Sequence, residues 1–202
     1  MAPIRSICVY CGSSPGRDEA YYQSGLTLGR AIAGAGLRLV YGGGSRGIMG
    51  AVSNGALDAG GKVTGIIPRF LVNKEASENA VQRLDEVIIT EDMHARKHLM
   101  FEKSDAFVAL PGGIGTVEEI VEVMTWAQLG HHRKPIVFAN VNGFWNRFAA
   151  MLAHMREEGF IHTGSLVKPL IVDDVAEVVP AILFAADEKR VDHGTKAIID
   201  RM

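Results

Sequence analysis

The chain alternates short apolar segments with longer helical ones along most of its length, and this alternation constrains the fold more than any single motif. Most of the short segments are continuously apolar, without the alternation of a strand that faces water on one side. Such segments are typical of a parallel sheet covered on both faces by helices. We therefore expect one α/β domain. The predicted strands are 6–10, 37–41, 62–67, 86–90, 106–110, 135–140 and 170–172.

The segments between these strands predict helices, and the longest departure from that rule is the polar region 69–84. The last helix is capped by Asp173 or Asp174 and is expected to end near Ala185. We assign residues 1–186 to one catalytic domain and 187–202 to a polar C-terminal tail. The other predicted helices are 19–35, 48–59, 93–104, 116–129 and 146–158.

Charge and composition exclude several classes of partner. The 202 residues carry a formal net charge of −2, which gives no general attraction to nucleic acid or to an anionic membrane. No apolar segment approaches the length of a membrane span, and the first residues lack the apolar region of a secretory signal. The two cysteines, Cys8 and Cys11, do not suggest a disulfide framework. We expect a cytoplasmic protein.

The segment 111–119, Pro-Gly-Gly-Ile-Gly-Thr-Val-Glu-Glu, follows a predicted strand and leads into a predicted helix. A glycine turn before a helix lets the backbone approach a ligand, and the first helical N–H groups favour an anion. We expect Gly113, Gly115 and Thr116 to hold a phosphate, with Gly12 and Ser13 as additions. The Gly-Lys-Ser/Thr ending of a P-loop is missing, which argues against an NTPase.

Two adjacent carboxylates, Glu118 and Glu119, are expected in the first turn of that helix. Acids there can simply complement the helix dipole. Adjacent helical positions point about 100° apart, so we expect only one of the two to face the pocket. A phosphate site beside a carboxylate suggests chemistry on a phosphorylated sugar.

A second glycine turn, at 42–47, fits the pattern G-x-G-x-x-G. The following strand ends without the acidic residue that would hold the ribose of NAD, and the turn follows the second strand and not the first. We therefore interpret it as a tight turn that also lines the pocket.

The helix that begins near Met93 carries several cations. Arg96 and Lys97 can reach substrate oxygens or pair with a catalytic carboxylate, unless they only form a solvated basic face. His94 and His98 are spaced for a metal but lack a third ligand, so no metal is expected. We expect Cys8 to be buried and Cys11 to lie near the pocket.

These motifs together resemble those of the LOG ("Lonely guy") family, which comprises cytokinin riboside 5′-monophosphate phosphoribohydrolases. The resemblance runs from about Ser6 to Ala185, and it rests above all on the combination of P-G-G-x-G-T-x-x-E with M-H-x-R-K. It implies a Rossmann-like fold and usually a homodimer with pockets near the interface. The motifs that carry it are 11–14, 41–50, 93–97, 111–119 and 124–130.

The resemblance also implies roles for individual residues. The catalytic pair corresponds to Arg96 and Glu119. No cofactor is expected, and although family members often bear the label lysine decarboxylase, nothing in the sequence indicates a PLP site. The implied pocket residues are Glu75, Arg96, Lys97, Gly112, Gly113, Ile114, Gly115, Thr116, Val117, Glu118 and Thr125.

The implied reaction is cleavage of the N-glycosidic bond of N6-substituted AMP to the free base and ribose 5-phosphate. A carboxylate near the sugar would stabilise the cation that forms, and we expect Arg96 and the helix start to lower the pKa of Glu119. Two alternatives stay open: an AMP nucleosidase that acts mainly on AMP, and a non-catalytic nucleotide-binding protein.

Overall fold

The structure is a computed structural model that describes residues 3–75, 78–161 and 169–199. Within these ranges seven strands form one fully parallel sheet, with the spatial order β4-β3-β2-β1-β5-β6-β7. The predicted fold class is therefore confirmed. The strands are β1 (Ser6–Tyr10), β2 (Arg38–Tyr41), β3 (Lys62–Pro68), β4 (Glu86–Thr90), β5 (Ala106–Ala109), β6 (Ile136–Ala139) and β7 (Leu170–Val172).

Helices connect the strands, as a parallel sheet requires. Short 3-10 turns occur before α3, after β6 and before α8. None of the helices in the described part of the chain is long and apolar enough to cross a membrane. The helices are α1 (Glu19–Gly34), α2 (Gly47–Asp58), α3 (Val72–Glu75), α4 (Glu78–Gln82), α5 (Met93–Glu102), α6 (Ile114–Gln128), α7 (Asn146–Glu157) and α8 (Val178–Ile199).

Both faces of the sheet are buried, because successive side chains of β1 enter two different cores. Ile7 and Val9 pack in a core that α1, α2 and α8 cover. Cys8 and Tyr10 pack in the opposite core, which includes side chains of α5 and α6. A strand buried on both faces has no polar alternation, which explains the continuous apolar runs of the sequence.

Among the helix boundaries that differ from their predictions, those of α6 and α8 have the largest consequences. α6 begins at Ile114, not at 116, because Gly113 adopts an extended conformation and serves as the N-cap. As a result Glu118 and Glu119 lie in the second turn of α6, and their predicted place in the first turn is wrong. α8 continues to Ile199 and not only to about 185, since a polar composition without proline is compatible with a helix. Residues 200–202 lie outside the described part of the chain.

Candidate active site

A cavity of about 370 Å³ opens at the carboxyl edge of the sheet, beside the neighbours β1 and β5. The chain passes through β2, β3 and β4 between these two strands, so the strand order reverses here. Open α/β sheets bind ligands at such switch points. Ten residues predicted for the site line this cavity: Gly12, Ser13, Glu75, Arg96, Gly113, Ile114, Gly115, Thr116, Glu118 and Glu119.

Four other predicted residues do not line the cavity. Gly112 borders a smaller cavity of about 230 Å³. Val117 packs against the core on the α6 side of the sheet, and Lys97 is buried between α5 and α6. Thr125 lies on the exposed face of α6, where its hydroxyl donates to the Val121 carbonyl at 2.8 Å.

The loop before α6 has an open and polar inner surface. Gly112 must be glycine, because a Cβ there would lie 2.1 Å from the Thr116 hydroxyl and 2.8 Å from the Gly12 nitrogen. At Gly113 and Gly115 a Cβ would meet nothing within 4 Å, and no side chain caps the helix. The first N–H groups of α6 are therefore accessible to an anion at the positive end of the helix dipole.

Glu119 and Arg96 form a buried pair on the cavity wall. Their side chains are 11% and 7% exposed, and Glu119 Oε1 lies 3.7 Å from Arg96 Nη2. This distance brings opposite charges together without a hydrogen bond between them.

Burial raises the pKa of Glu119 from 4.5 to about 7. Arg96 and Lys97 act in the opposite direction, whereas the negative charges of Glu118 and Glu75 add to the increase. The expected lowering of this pKa is therefore wrong. Desolvation outweighs the single close cation, and the second turn is too far along α6 for contact with the N–H groups at its start.

Arg96 is held over the glycine turn that follows β2. A Cβ at Gly42 would lie 1.9 Å from Arg96 Nη2, so only glycine leaves room for the guanidinium. Asp92 caps α5 by accepting from the Ala95 N–H at 2.8 Å, which fixes the helix that carries Arg96. The Nε–H of Arg96 is buried without a hydrogen-bond partner among the described residues. A ligand oxygen is the natural acceptor for that donor.

The turn at 42–47 has both of the predicted roles. Gly43 and Gly47 have φ values of +76° and +56°, and a Cβ at Gly47 would lie 2.5 Å from the Ser13 carbonyl. Gly42 lines the cavity. Ser45 donates its N–H to the Glu75 carbonyl at 2.8 Å and so ties α3 over the turn.

Lys97 does not line the cavity, because its side chain is directed to two carboxylates. Its ammonium group lies 2.5 Å from Glu118 Oε1 and 3.2 Å from Glu122 Oε1. Burial opposes its charge, but the two carboxylates outweigh burial and raise the pKa of Lys97. Glu119 is buried against Arg96, whereas Glu118 is half exposed. Because both glutamates line the cavity, the expectation that only one of them faces it is wrong.

The two histidines of α5 and the two cysteines have no catalytic geometry among the described residues. His94 and His98 are exposed, and His98 pairs with Glu102. No group of three potential ligands among the described residues could hold a metal ion. Cys8 is buried and Cys11 lines the cavity, as predicted, and burial raises the pKa of both thiols. Protonated thiols are poor nucleophiles.

Several apolar cavity residues were not identified from the sequence. Tyr10 directly precedes the Cys11-Gly12 turn, so its place at the end of a strand was an available signal. Leu71 lies in the region without regular periodicity and offered none. Met49 of α2 and Met93 and Met100 of α5 come from two helices that only the fold brings together.

Fold and site together define a Rossmann-like α/β protein whose cavity joins an open helix start to a buried carboxylate and guanidinium. Residues 49–182 match the protein family described as "Possible lysine decarboxylase". The chain belongs to this family, which includes the LOG proteins.

Curated relatives are similar over most of the chain. The cytokinin riboside 5′-monophosphate phosphoribohydrolase of Rhodococcoides fascians is 44% identical over 179 residues, which cover 88% of this chain and 89% of the relative. The Arabidopsis thaliana enzyme of that name, LOG3, is 48% identical over 158 residues, which cover 78% of this chain and 72% of the relative.

Solved structures share the fold. The structural genomics target TM1055 superposes with a TM-score of 0.69 at 25% identity, covering 89% of this chain and 98% of that one. The Moco carrier protein of Chlamydomonas reinhardtii superposes with a TM-score of 0.67 at 23% identity, covering 92% of this chain and 99% of that one. The second similarity concerns the fold alone.

Proposed function

We propose that this protein hydrolyses the N-glycosidic bond of cytokinin riboside 5′-monophosphates, which are N6-substituted forms of AMP. The products are the free base and ribose 5-phosphate. One observation carries the proposal: the buried Glu119 beside Arg96 lines the same cavity as the uncapped start of α6. A nucleoside monophosphate needs both, the helix start for its phosphate and the carboxylate for its sugar. The names and the identity of the curated relatives support the same activity.

The phosphate is held at the start of α6. Backbone N–H groups near Gly113 and Gly115 and the Thr116 hydroxyl are the donors, and Gly12 and Ser13 face the same space. Fixing the phosphate fixes the position of C1′ on the sugar, and such positioning contributes a large part of the rate acceleration in enzymes.

Glu119 then acts at C1′ in its ionised form. As the C1′–N9 bond breaks, its electron pair moves to N9 and positive charge develops on the sugar, which a nearby carboxylate stabilises. Water bonds to C1′ and gives up a proton, which Glu119 accepts and the departing base finally takes. Arg96 keeps Glu119 oriented and offers its free Nε–H to a substrate oxygen.

We further propose that the protein is a homodimer that pairs through α6. Ile114 and Val121 of this helix and Leu129 at its C-cap are exposed apolar residues, and Thr125 lies on the same face. Ile114 also lines the cavity, so the interface begins at the site. In an antiparallel pairing of two α6 helices, Thr125 would face the other subunit. This would explain why Thr125 does not line the cavity of its own chain.

A cytoplasmic location is proposed as well. Cys8 and Cys11 are free thiols, which is the usual state of cysteines in a reducing compartment. Fractionation of the native host cell tests this location directly.

Two other activities fit parts of the evidence. An AMP nucleosidase would use the same catalytic groups on an unsubstituted base. A non-catalytic nucleotide-binding protein would hold AMP in the same cavity without cleaving it. A higher kcat/KM for AMP than for isopentenyl-AMP would indicate the AMP nucleosidase. Tight AMP binding without release of ribose 5-phosphate would indicate the non-catalytic protein.

The activity is tested by chromatographic detection of free base from isopentenyl-AMP. We expect Glu119→Gln and Arg96→Ala to fold and to lose at least about 100-fold in kcat, since each removes a group that acts on the transition state. Glu102→Gln and Arg69→Ala are matched controls, because both residues are exposed and their ion pairs lie away from the cavity. Full activity of purified Glu119→Gln contradicts the mechanism. The mechanism uses no metal ion, so turnover should persist in EDTA.

A further inference from the structure

Two sets of ion pairs connect α5 to α6, and of their two cations only Arg96 lines the cavity. Arg96 reaches Glu119 on the cavity side. The next residue, Lys97, reaches Glu118 and Glu122, which are one turn apart on α6. The Lys97 side chain is 10% exposed, and all of its described polar contacts go to these two carboxylates.

This arrangement fixes the rotation of α6 about its own axis. Glu118 and Glu119 are adjacent, so their side chains point about 100° apart. When Lys97 holds Glu118 and Glu122 against α5, the carboxylate of Glu119 is directed toward Arg96. A rotation of α6 that released the lysine would also move Glu119 along the cavity wall.

The lysine also balances charge around Glu119. Besides Lys97, three charged groups shift the pKa of Glu119: Arg96 on α5, Glu118 on α6 and Glu75 on α3. The negative charge of Glu119 in turn raises the pKa values of Cys8, Tyr10 and Cys11 in and after β1. Among these groups only Arg96 and Lys97 are cations. Without Lys97, the negative charges of Glu118 and Glu122 would be uncompensated close to Glu119.

We propose that Lys97 is a positioning residue for Glu119, acting through Glu118 and Glu122, and that it does not bind the nucleotide. The proposal rests on the proposed function for the role of Glu119, and it replaces the substrate contact that the family resemblance implies for Lys97. It also explains why two carboxylates one turn apart on α6 converge on one buried cation.

The first test titrates Glu119 directly by carboxyl ¹³C NMR, with Glu119→Gln used to assign its signal. We expect Lys97→Met to shift the midpoint of Glu119 upward by about half a pH unit or more, because an opposing cation is lost. Lys103→Met is the matched control, because Lys103 also pairs with a glutamate, Glu86, but far from the cavity. In this variant the titration midpoint of Glu119 should equal that of the wild type. An unchanged midpoint in Lys97→Met overturns the proposal.

The second test measures AMP binding by calorimetry at pH 8. We expect Lys97→Met to bind AMP within about twofold of the wild type, whereas loss of a charged contact to the nucleotide would weaken binding by about tenfold or more. A tenfold loss of affinity for AMP, with the titration of Glu119 unchanged, overturns the proposal. In turnover, the acid limb of kcat/KM should shift in the same direction as the NMR midpoint.

Two further variants cover a failure of Lys97→Met to fold. Lys97→Arg retains the charge and should keep the wild-type midpoint. The double substitution Glu118→Gln with Glu122→Gln should shift the midpoint of Glu119 downward, and no shift or an upward shift would contradict the proposal. If the wild type releases no base from either nucleotide, the proposed function fails, while the NMR titration still decides the role of Lys97.

Discussion

Glu119, the proposed catalytic carboxylate, is buried at a cost to stability. Its carboxyl is buried beside one cation that does not hydrogen-bond to it, so its pKa lies near neutrality. A glutamate of this kind changes charge within the working pH range, as acids and bases of active sites do. Gly42 serves the same site by leaving room for the guanidinium of Arg96.

The raised pKa predicts a pH-dependent difference in stability between the wild type and Glu119→Gln. Between pH 4.5 and about 7 the folded state retains the proton of Glu119 and the unfolded state has lost it, so unfolding becomes easier as the pH rises. The shift corresponds to at most about 3 kcal/mol. We expect the two proteins to have similar free energies of unfolding at pH 4.5.

At pH 8 the variant should be the more stable, by about 1–3 kcal/mol for the same reason. Urea unfolding at both pH values measures the difference. A wild type that gained stability relative to Glu119→Gln as the pH increased would show that Glu119 has a lowered pKa.

At the scale of elements, α1 and α2 pack with their backbones in contact. A Cβ at Gly29 of α1 would lie 2.2 Å from the Val52 carbonyl and 2.7 Å from the Ala56 nitrogen of α2. From the other side, a Cβ at Gly55 would lie 2.3 Å from the Leu26 carbonyl. These contacts are to backbone atoms, which cannot move aside as a side chain would. They place α2, and with it the glycine turn that precedes it, against the sheet.

We therefore expect Gly29→Ala to lower the free energy of unfolding by about 2–4 kcal/mol, since the added methyl group separates the two helices. Gly34→Ala is a matched control on α1, because a Cβ there meets nothing within 4 Å. It should leave stability unchanged or raise it by up to about 1 kcal/mol, as alanine favours a helix. Thermal and urea unfolding measure both changes. Equal effects of the two substitutions would contradict the close packing.

At the scale of the whole molecule, exposed apolar side chains mark the helices α6 and α7 on one side of the sheet. On the α6 and α7 side, Ile114 is 90% exposed and Leu129 is 70% exposed, and Met151 and Met155 of α7 are also accessible. Apolar side chains aligned on one helix face are typical of an interaction surface. On the other side, α8 covers the opposite core, and its outer face also exposes Leu183 and Phe184.

If the proposed dimer forms through α6, Leu129→Asp should convert it to a monomer, because a charge would be buried at the interface. Leu183→Asp on α8 is the control: Leu183 is also exposed, but it belongs to the helix on the opposite side of the sheet, and the dimer should persist. Light scattering after size-exclusion chromatography measures the mass. A wild-type monomer, or a dimer insensitive to Leu129→Asp, would contradict the proposed interface.

The sequence by itself determined the strands, the parallel sheet, the family and the glycine turns around the site. These features depend on local patterns: continuous apolar runs, glycine after a strand and residue spacing within a motif. Even Gly42 and Gly113, which line the cavity, were recognisable, because they follow strands in chain order.

Only the tertiary structure decided which charges are buried together. The pKa of Glu119 depends on desolvation and on cations and carboxylates from α3, α5 and α6, and these distances are set by the packing of helices and not by spacing in the chain. For the same reason the sequence alone could not show that Lys97 turns away from the cavity while its neighbour Arg96 faces it. Burial and long-range electrostatics arise only once the sheet has brought these helices together.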